Sequence, residues 1–145
     1  MTVVLLGLAV TAILAAVQTT TVASAIDEDH ATAFTWLQAA SDEIYRSDRM
    51  PCDTNARADI IAAYDSYAKT APRPKKWLTT PGAAIAVTNV QFLGKPNADA
   101  EYEWGNSYCL EGGAYVNAPQ YTQRVTIQVI TPRGLVKTLQ MVKGK

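Results

Sequence analysis

The first 26 residues contain no Asp, Glu, Lys, Arg or His, and the first charge in the chain is Asp27. The run Val3-Val4-Leu5-Leu6-Gly7-Leu8-Ala9-Val10 continues through Ala12-Ile13-Leu14-Ala15-Ala16-Val17. Its polar interruptions are mild: Thr2, Thr11, Gln18, Thr19-Thr20-Thr21 and Ser24. A membrane-spanning helix needs roughly 20 predominantly apolar residues, and this stretch meets that length. The expectation is a transmembrane segment over residues 1–25, followed by an extracytoplasmic domain over residues 26–145.

A secretory signal peptide is the competing explanation. Ala23-Ser24-Ala25 fits the small-residue cleavage pattern, but no Lys or Arg precedes the apolar core as a signal peptide requires. The residues after Ala25 favour a retained anchor. Residues 31–46 contain no Gly or Pro, and no breaker stands between Gly7 and Pro51. One helix is therefore predicted over about residues 3–48, roughly 70 Å long at 1.5 Å per residue. Its first half is apolar all round. Its second half is amphipathic, with Ile26, Phe34, Leu37, Ile44 and Tyr45 on one stripe and Ala33, Ala40 and Ser41 filling the same side.

Beyond the helix the 145-residue chain has room for one small domain. Met50-Pro51-Cys52-Asp53 breaks the helix, since proline cannot continue it. Asp53 or Thr54 can cap a second helix over about residues 56–69, with Ile60, Ile61, Tyr64, Tyr67 and Ala68 as its apolar set. Ala71-Pro72-Arg73-Pro74 ends it as a stiff connector.

Strands come next. Residues 84–93 alternate, with Ile85, Val87 and Asn89 opposed to Ala86, Thr88 and Val90. A short strand is expected over 101–104. The clearest strand is 123–131, where Val125, Ile127 and Val129 alternate with Arg124, Thr126 and Gln128. Pro132-Arg133-Gly134 turns the chain into a returning strand. There Leu135, Lys137, Leu139 and Met141 point one way, and Val136, Thr138, Gln140 and Val142 the other. The predicted fold is α+β: a long N-terminal helix whose amphipathic half packs on a small antiparallel sheet.

Two cysteines, Cys52 and Cys109, lie far apart, and neither has a partner at metal-ligand spacing. Outside the cytoplasm a disulfide is the expected pairing; two separate buried thiols are the alternative. Closing so long a loop would stabilise a small core by roughly 3–5 kcal/mol on the loop-entropy argument.

The organisation resembles the type IV pilin and type II secretion pseudopilin family. The residues that carry the likeness are TVVLLGLAVTAILAAV, Thr2 to Val17, which are similar to the pilin transmembrane stretch, with Gly7 matching its recurrent glycine. The amphipathic continuation over residues 27–48 and the C-terminal hairpin resemble the sheet-packing helix half and terminal strands of pseudopilin-like proteins, including those of actinobacteria. The family's basic leader, cleavage glycine and following glutamate do not stand before Thr2; by the alignment with the family they would lie just upstream of Met1. The helix also lacks the proline that many major pilins carry, which leans toward a pseudopilin or minor pilin.

The resemblance implies a single-pass cell membrane protein with its N-terminus toward the cytoplasm. It implies assembly into an extracytoplasmic filament with other pilin-like subunits, driven by an inner-membrane assembly platform. Small residues Gly7, Ala9, Ala12, Ala15 and Ala16 would let neighbouring helices approach closely; a lone lipid-facing anchor is the plainer alternative. If residues 1–25 are instead removed after Ala25, the product is a small secreted, disulfide-linked binding domain.

Catalytic chemistry is not expected. His30 is the single histidine and follows three acids, which suits a helix surface. No P-loop, G-x-G-x-x-G or H-E-x-x-H occurs, and Ser41, Ser47, Ser66 and Ser107 have no triad context. Asn97, Asp99, Glu101 and Glu103 offer oxygens at a spacing that fits no calcium loop, so no cofactor or metal is expected. Zero net charge argues against a nucleic-acid partner. Residues 123–145 hold Arg124, Arg133, Lys137, Lys143 and Lys145 and no acid; these are expected to form a solvated face. Tyr102, Trp104, Tyr108, Tyr115 and Tyr121 could make a sugar- or partner-binding surface, with core and loop packing the default.

Overall fold

A computed structural model describes residues 2–50, 56–95, 100–106 and 122–144, and over 2–16 and at Thr19 the backbone alone. It has two compact units, Met1–Thr32 and Ala33–Lys145. The first is the beginning of helix α1 (Thr2–Arg46), which runs without a break, as the absence of Gly and Pro after Gly7 allows. Among the described residues no helix is long and apolar enough to cross a membrane. The side chains of 1–16, on which the expected span chiefly rests, lie outside that description.

The second unit joins the rest of α1 to helix α2 (Arg57–Thr70), a short 3-10 turn (Lys75–Trp77), and strands β1 (Ala84–Gly94), β2 (Glu103–Gly105), β3 (Gln123–Ile130) and β4 (Val136–Lys143). The sheet is antiparallel throughout, in the order β2-β1-β3-β4. The fold is therefore α+β, with a long helix and a small four-stranded antiparallel sheet. Its core joins Ala33, Leu37, Ala40 and Ile44 of α1 and Ile60 and Tyr64 of α2 to the inner face of β1 and β3.

The stripe of α1 differs from expectation. Leu37 and Ile44 are buried with Ala33 and Ala40, but Phe34 is 53% and Tyr45 69% exposed, and Trp36 is buried instead. Each residue advances about 100° round the helix. Phe34 and Tyr45 thus stand about 90–110° from the centre of the buried line, while Trp36 stands about 70° away on the other side. Trp36 is drawn in by Trp77, whose ring meets it edge-on at 5.9 Å.

Ala56 precedes the first turn of α2 and makes no side-chain cap bond; Asp53 and Thr54, the expected caps, lie outside the described residues. Ile60, Tyr64 and Ala68 are buried, whereas Tyr67 is exposed. The three buried residues have the helical spacing of a single face.

β1 departs from simple alternation. Ile85 and Val87 point inward as expected, but the inward set resumes at Val90 and Phe92. A bulge between Val87 and Asn89 shifts the phase, so Asn89 does not join the apolar set. Helix α2 holds this bulge from both sides. Asp65 Oδ1 accepts the Val87 amide proton at 2.9 Å, and the Arg57 guanidinium donates to Asn89 Oδ1 and, at 3.0 Å, to the Val90 carbonyl.

The hairpin of β3 and β4 matches the sequence pattern closely. Gly134 takes φ +79°, a left-handed conformation that favours glycine, and its amide donates to the Thr131 carbonyl at 2.9 Å.

Candidate functional site

The described residues most committed to one arrangement lie where α1 ends. A helix leaves its last four carbonyls without intrahelical donors, and their partial negative charge favours a cation there. Lys143, on the final strand, supplies that cation. It is only 4% exposed. Its Nζ donates to the carbonyls of Ile44 at 2.6 Å, Tyr45 at 3.1 Å and Ser47 at 2.5 Å. The Ser47 hydroxyl also bonds the Ile44 carbonyl, at 2.7 Å. The expectation of a solvated basic face over residues 123–145 is therefore wrong at Lys143. The reason is the period of β4: Lys137, Leu139 and Met141 point inward, and Lys143 continues the same set.

Next to Lys143 in the same cross-strand row is Gln123, and next to Gln123 is Phe92. Gln123 is fully buried. Its side chain closes a ring of hydrogen bonds. The Tyr64 hydroxyl donates to Gln123 Oε1 at 2.5 Å, Gln123 Nε2 donates to the Met50 carbonyl at 2.6 Å, and the Met50 amide donates to the Tyr64 oxygen at 3.3 Å. The Lys143 ammonium lies 5.8 Å from the centre of the Tyr64 ring.

Burial raises the Tyr64 pKa above its ordinary value, against smaller lowering effects of the Met50 backbone and Arg49. Burial likewise lowers that of Lys143, with Asp48 opposing. The cluster thus ties the end of α1 and the residues after it to α2, β3 and β4. Its donors are aimed at main-chain carbonyls and at one another, which makes it a fastening for the backbone.

The middle of the sheet's outer face is polar, while Ile130, Val136 and Val142 are exposed toward its ends. Thr126 pairs with Gln140 and Gln128 with Thr138. At its β2 end the Arg124 guanidinium lies 4.9 Å from the Trp104 ring and donates to Gln91 Oε1 at 2.9 Å. Lys95 lies 4.7 Å from the Tyr102 ring. Of the proposed aromatic group, Tyr102 and Trp104 are described; Tyr108, Tyr115 and Tyr121 lie outside the described residues.

The residues singled out for assembly, Gly7, Ala9, Ala12, Ala15 and Ala16, are helical, but their side chains lie outside the description. Cys52 and Cys109 lie outside the described residues altogether. Among the described residues no three His, Cys, Asp or Glu side chains converge as a metal site. The sequence pattern alone does not single out the Lys143–Gln123–Tyr64 cluster, although it carries a signal. Extending the inward alternation of β3 and β4 by one step, to Gln123 and Lys143, places both polar side chains in the core.

Comparison with family models, with curated proteins and with solved structures finds no match for this chain.

Proposed function

We propose that the chain is a structural subunit of a type IV pilus-like or type II secretion pseudopilus-like filament. It is held in the membrane by the first part of α1 before assembly, with the second unit outside. Other pilin-like subunits and an inner-membrane assembly platform are its partners, and no reaction is assigned to it.

The observation that carries this reading is the division of labour along α1. Residues 2–26 of this unbroken helix bear no charge, while Ala33, Leu37, Ala40 and Ile44 build the core of an α+β unit. A helix that is apolar all round belongs in an apolar environment, and one with an apolar stripe belongs against a domain. Two further observations support it. Val17 and Val22 are exposed within the first unit, and so offer apolar surface to lipid or to neighbouring helices. The Thr21 hydroxyl donates to the Gln18 carbonyl at 2.9 Å, which satisfies a polar group inside the helix. The small residues Gly7, Ala9, Ala12, Ala15 and Ala16 supply the proposed helix–helix seam, and Cys52 and Cys109 the proposed disulfide.

The test is cysteine crosslinking at Ala9→Cys and Ala12→Cys in native envelopes. Dimers and a ladder of higher species are expected. Monomers alone, at both positions, overturn assembly through this seam.

A further inference from the structure

The second unit has two unlike ends. Its polar fastening lies at the end of α1. The opposite pole is the one where α1 enters at Ala33, and three segments meet there. Trp77 of the 3-10 turn packs on Trp36, the Lys137 ammonium lies 5.9 Å from the Phe34 ring, and the turns at Gly82 and Pro132 abut. A Cβ built on Gly82 would lie 3.6 Å from the Pro132 carbonyl oxygen. The Arg73 guanidinium closes the 80–83 loop by donating to the carbonyls of Thr80 at 3.0 Å and Ala83 at 3.2 Å.

The composition of this pole is one-sided. Residues 33–37, 73–84 and 130–137 contain Arg73, Lys75, Lys76, Arg133 and Lys137 and not one acid. Lys75, Lys76 and Arg133 are exposed. Among them stand apolar side chains that the fold leaves in water: Leu78 is 59% and Val136 51% exposed, and Ile130 lies between Ala84 and Val136 in the last row of the sheet. Basic residues interleaved with exposed aliphatic ones suit the boundary of an anionic bilayer, where ammonium groups meet phosphates and aliphatic tips enter the headgroup layer.

We propose that this pole rests on anionic phospholipid headgroups of the membrane that holds α1. The proposal depends on the anchored reading above. Continuity of the chain makes it feasible. Ala33 is eight residues beyond Ala25, the end of the expected span, which is at most about 28 Å even fully extended. The acids Asp27, Glu28 and Asp29 precede the pole and work against it. Counting them with the three segments lowers the formal charge from +5 to +2, since 5 − 3 = 2. The three segments of the second unit that meet at this end nevertheless carry five cations and no acid among them.

The experiment uses the full chain reconstituted in nanodiscs of phosphatidylcholine alone or with phosphatidylglycerol. Lysine acetylation is mapped by mass spectrometry. Lys75, Lys76 and Lys137 are expected to react about fivefold more slowly with phosphatidylglycerol present, the effect of one basic residue at an anionic surface. Lys95, beside Tyr102 at the other end, serves as the unchanged reference. The protection should vanish at high salt, where the Debye length falls to about 3 Å at 1 M. Combined Lys76→Glu and Arg133→Glu should incorporate equally well yet remove the lipid dependence at Lys137. A chain that incorporates but shows the same lysine reactivity in both lipids overturns this proposal and leaves the anchor intact. A chain that does not incorporate overturns the anchor and this proposal with it.

Discussion

The Lys143 ammonium of the last strand lies 2.6 Å from the Ile44 carbonyl in the last turn of α1, joining residues 99 positions apart. It brings a charge into the core and gives the carbonyls at the helix end a charged donor, which at Ile44 adds to the Ser47 hydroxyl. Removing one partner of such a contact costs the desolvation of what remains.

Lys143→Met is accordingly predicted to destabilise the folded chain by about 2–4 kcal/mol, because the carbonyls of Ile44, Tyr45 and Ser47 lose their shared donor. Lys143→Arg should recover only part of this, since a flat guanidinium cannot converge on the same three oxygens as a compact ammonium does. Urea unfolding measures both. A loss below about 0.5 kcal/mol in the Met variant, typical of surface substitutions, contradicts the assignment.

Tyr64→Phe breaks the ring through Gln123 and Met50 and should cost about 1–2 kcal/mol near neutral pH. It should also change the alkaline behaviour. Burial holds the Tyr64 pKa above the ordinary 10.0. Above pH 10 the unfolded chain therefore releases this proton first, and stability falls as pH rises. Lys143 has the opposite sign. With its pKa held below 10.5, it contributes a rise in stability as pH climbs toward that value. Urea midpoints on either side of pH 10 should show a shallower alkaline fall in Tyr64→Phe and no Lys143 rise in Lys143→Met. Identical profiles for all three proteins contradict both assignments.

The β1 bulge makes an unusual prediction about deletions. Thr88 is the extra residue: Val87 pairs with Ile127 and Asn89 with Thr126. Deleting Thr88 keeps Val90 and Phe92 facing inward, so the fold should survive, weakened by about 1–2 kcal/mol if Asp65 loses the Val87 amide. Deleting Gln91 turns Phe92 outward and should abolish folding, because a one-residue slip moves a strand's side chains to the other face. Circular dichroism and thermal melts separate the outcomes. Loss of fold in both deletions contradicts the bulge assignment.

The unbroken helix, α2 and the β3–β4 hairpin are legible in the sequence because breakers and period-2 alternation are local signals. Size alone suggests burial of Phe34 and Tyr45, but the face of α1 is chosen by its partners, and Trp77 selects Trp36. The phase change at Val87–Asn89 is not legible, because Arg57 and Asp65 that hold it are distant in the chain. Lys143 reads as a surface charge because the helix end that requires it lies almost a hundred residues away.

The seam at Gly7, Ala9, Ala12, Ala15 and Ala16 and the Cys52–Cys109 pair rest on sequence alone. Among the described residues, the structure adds to these the cluster at the end of α1.

The central claim, a retained N-terminal helix in a filament subunit, is tested most directly by the N-terminal residue and intact mass of the protein taken from native cell envelopes. The account predicts a mature protein that retains residues 1–25. An N-terminus at Ile26 contradicts it and leaves a secreted domain released after Ala25.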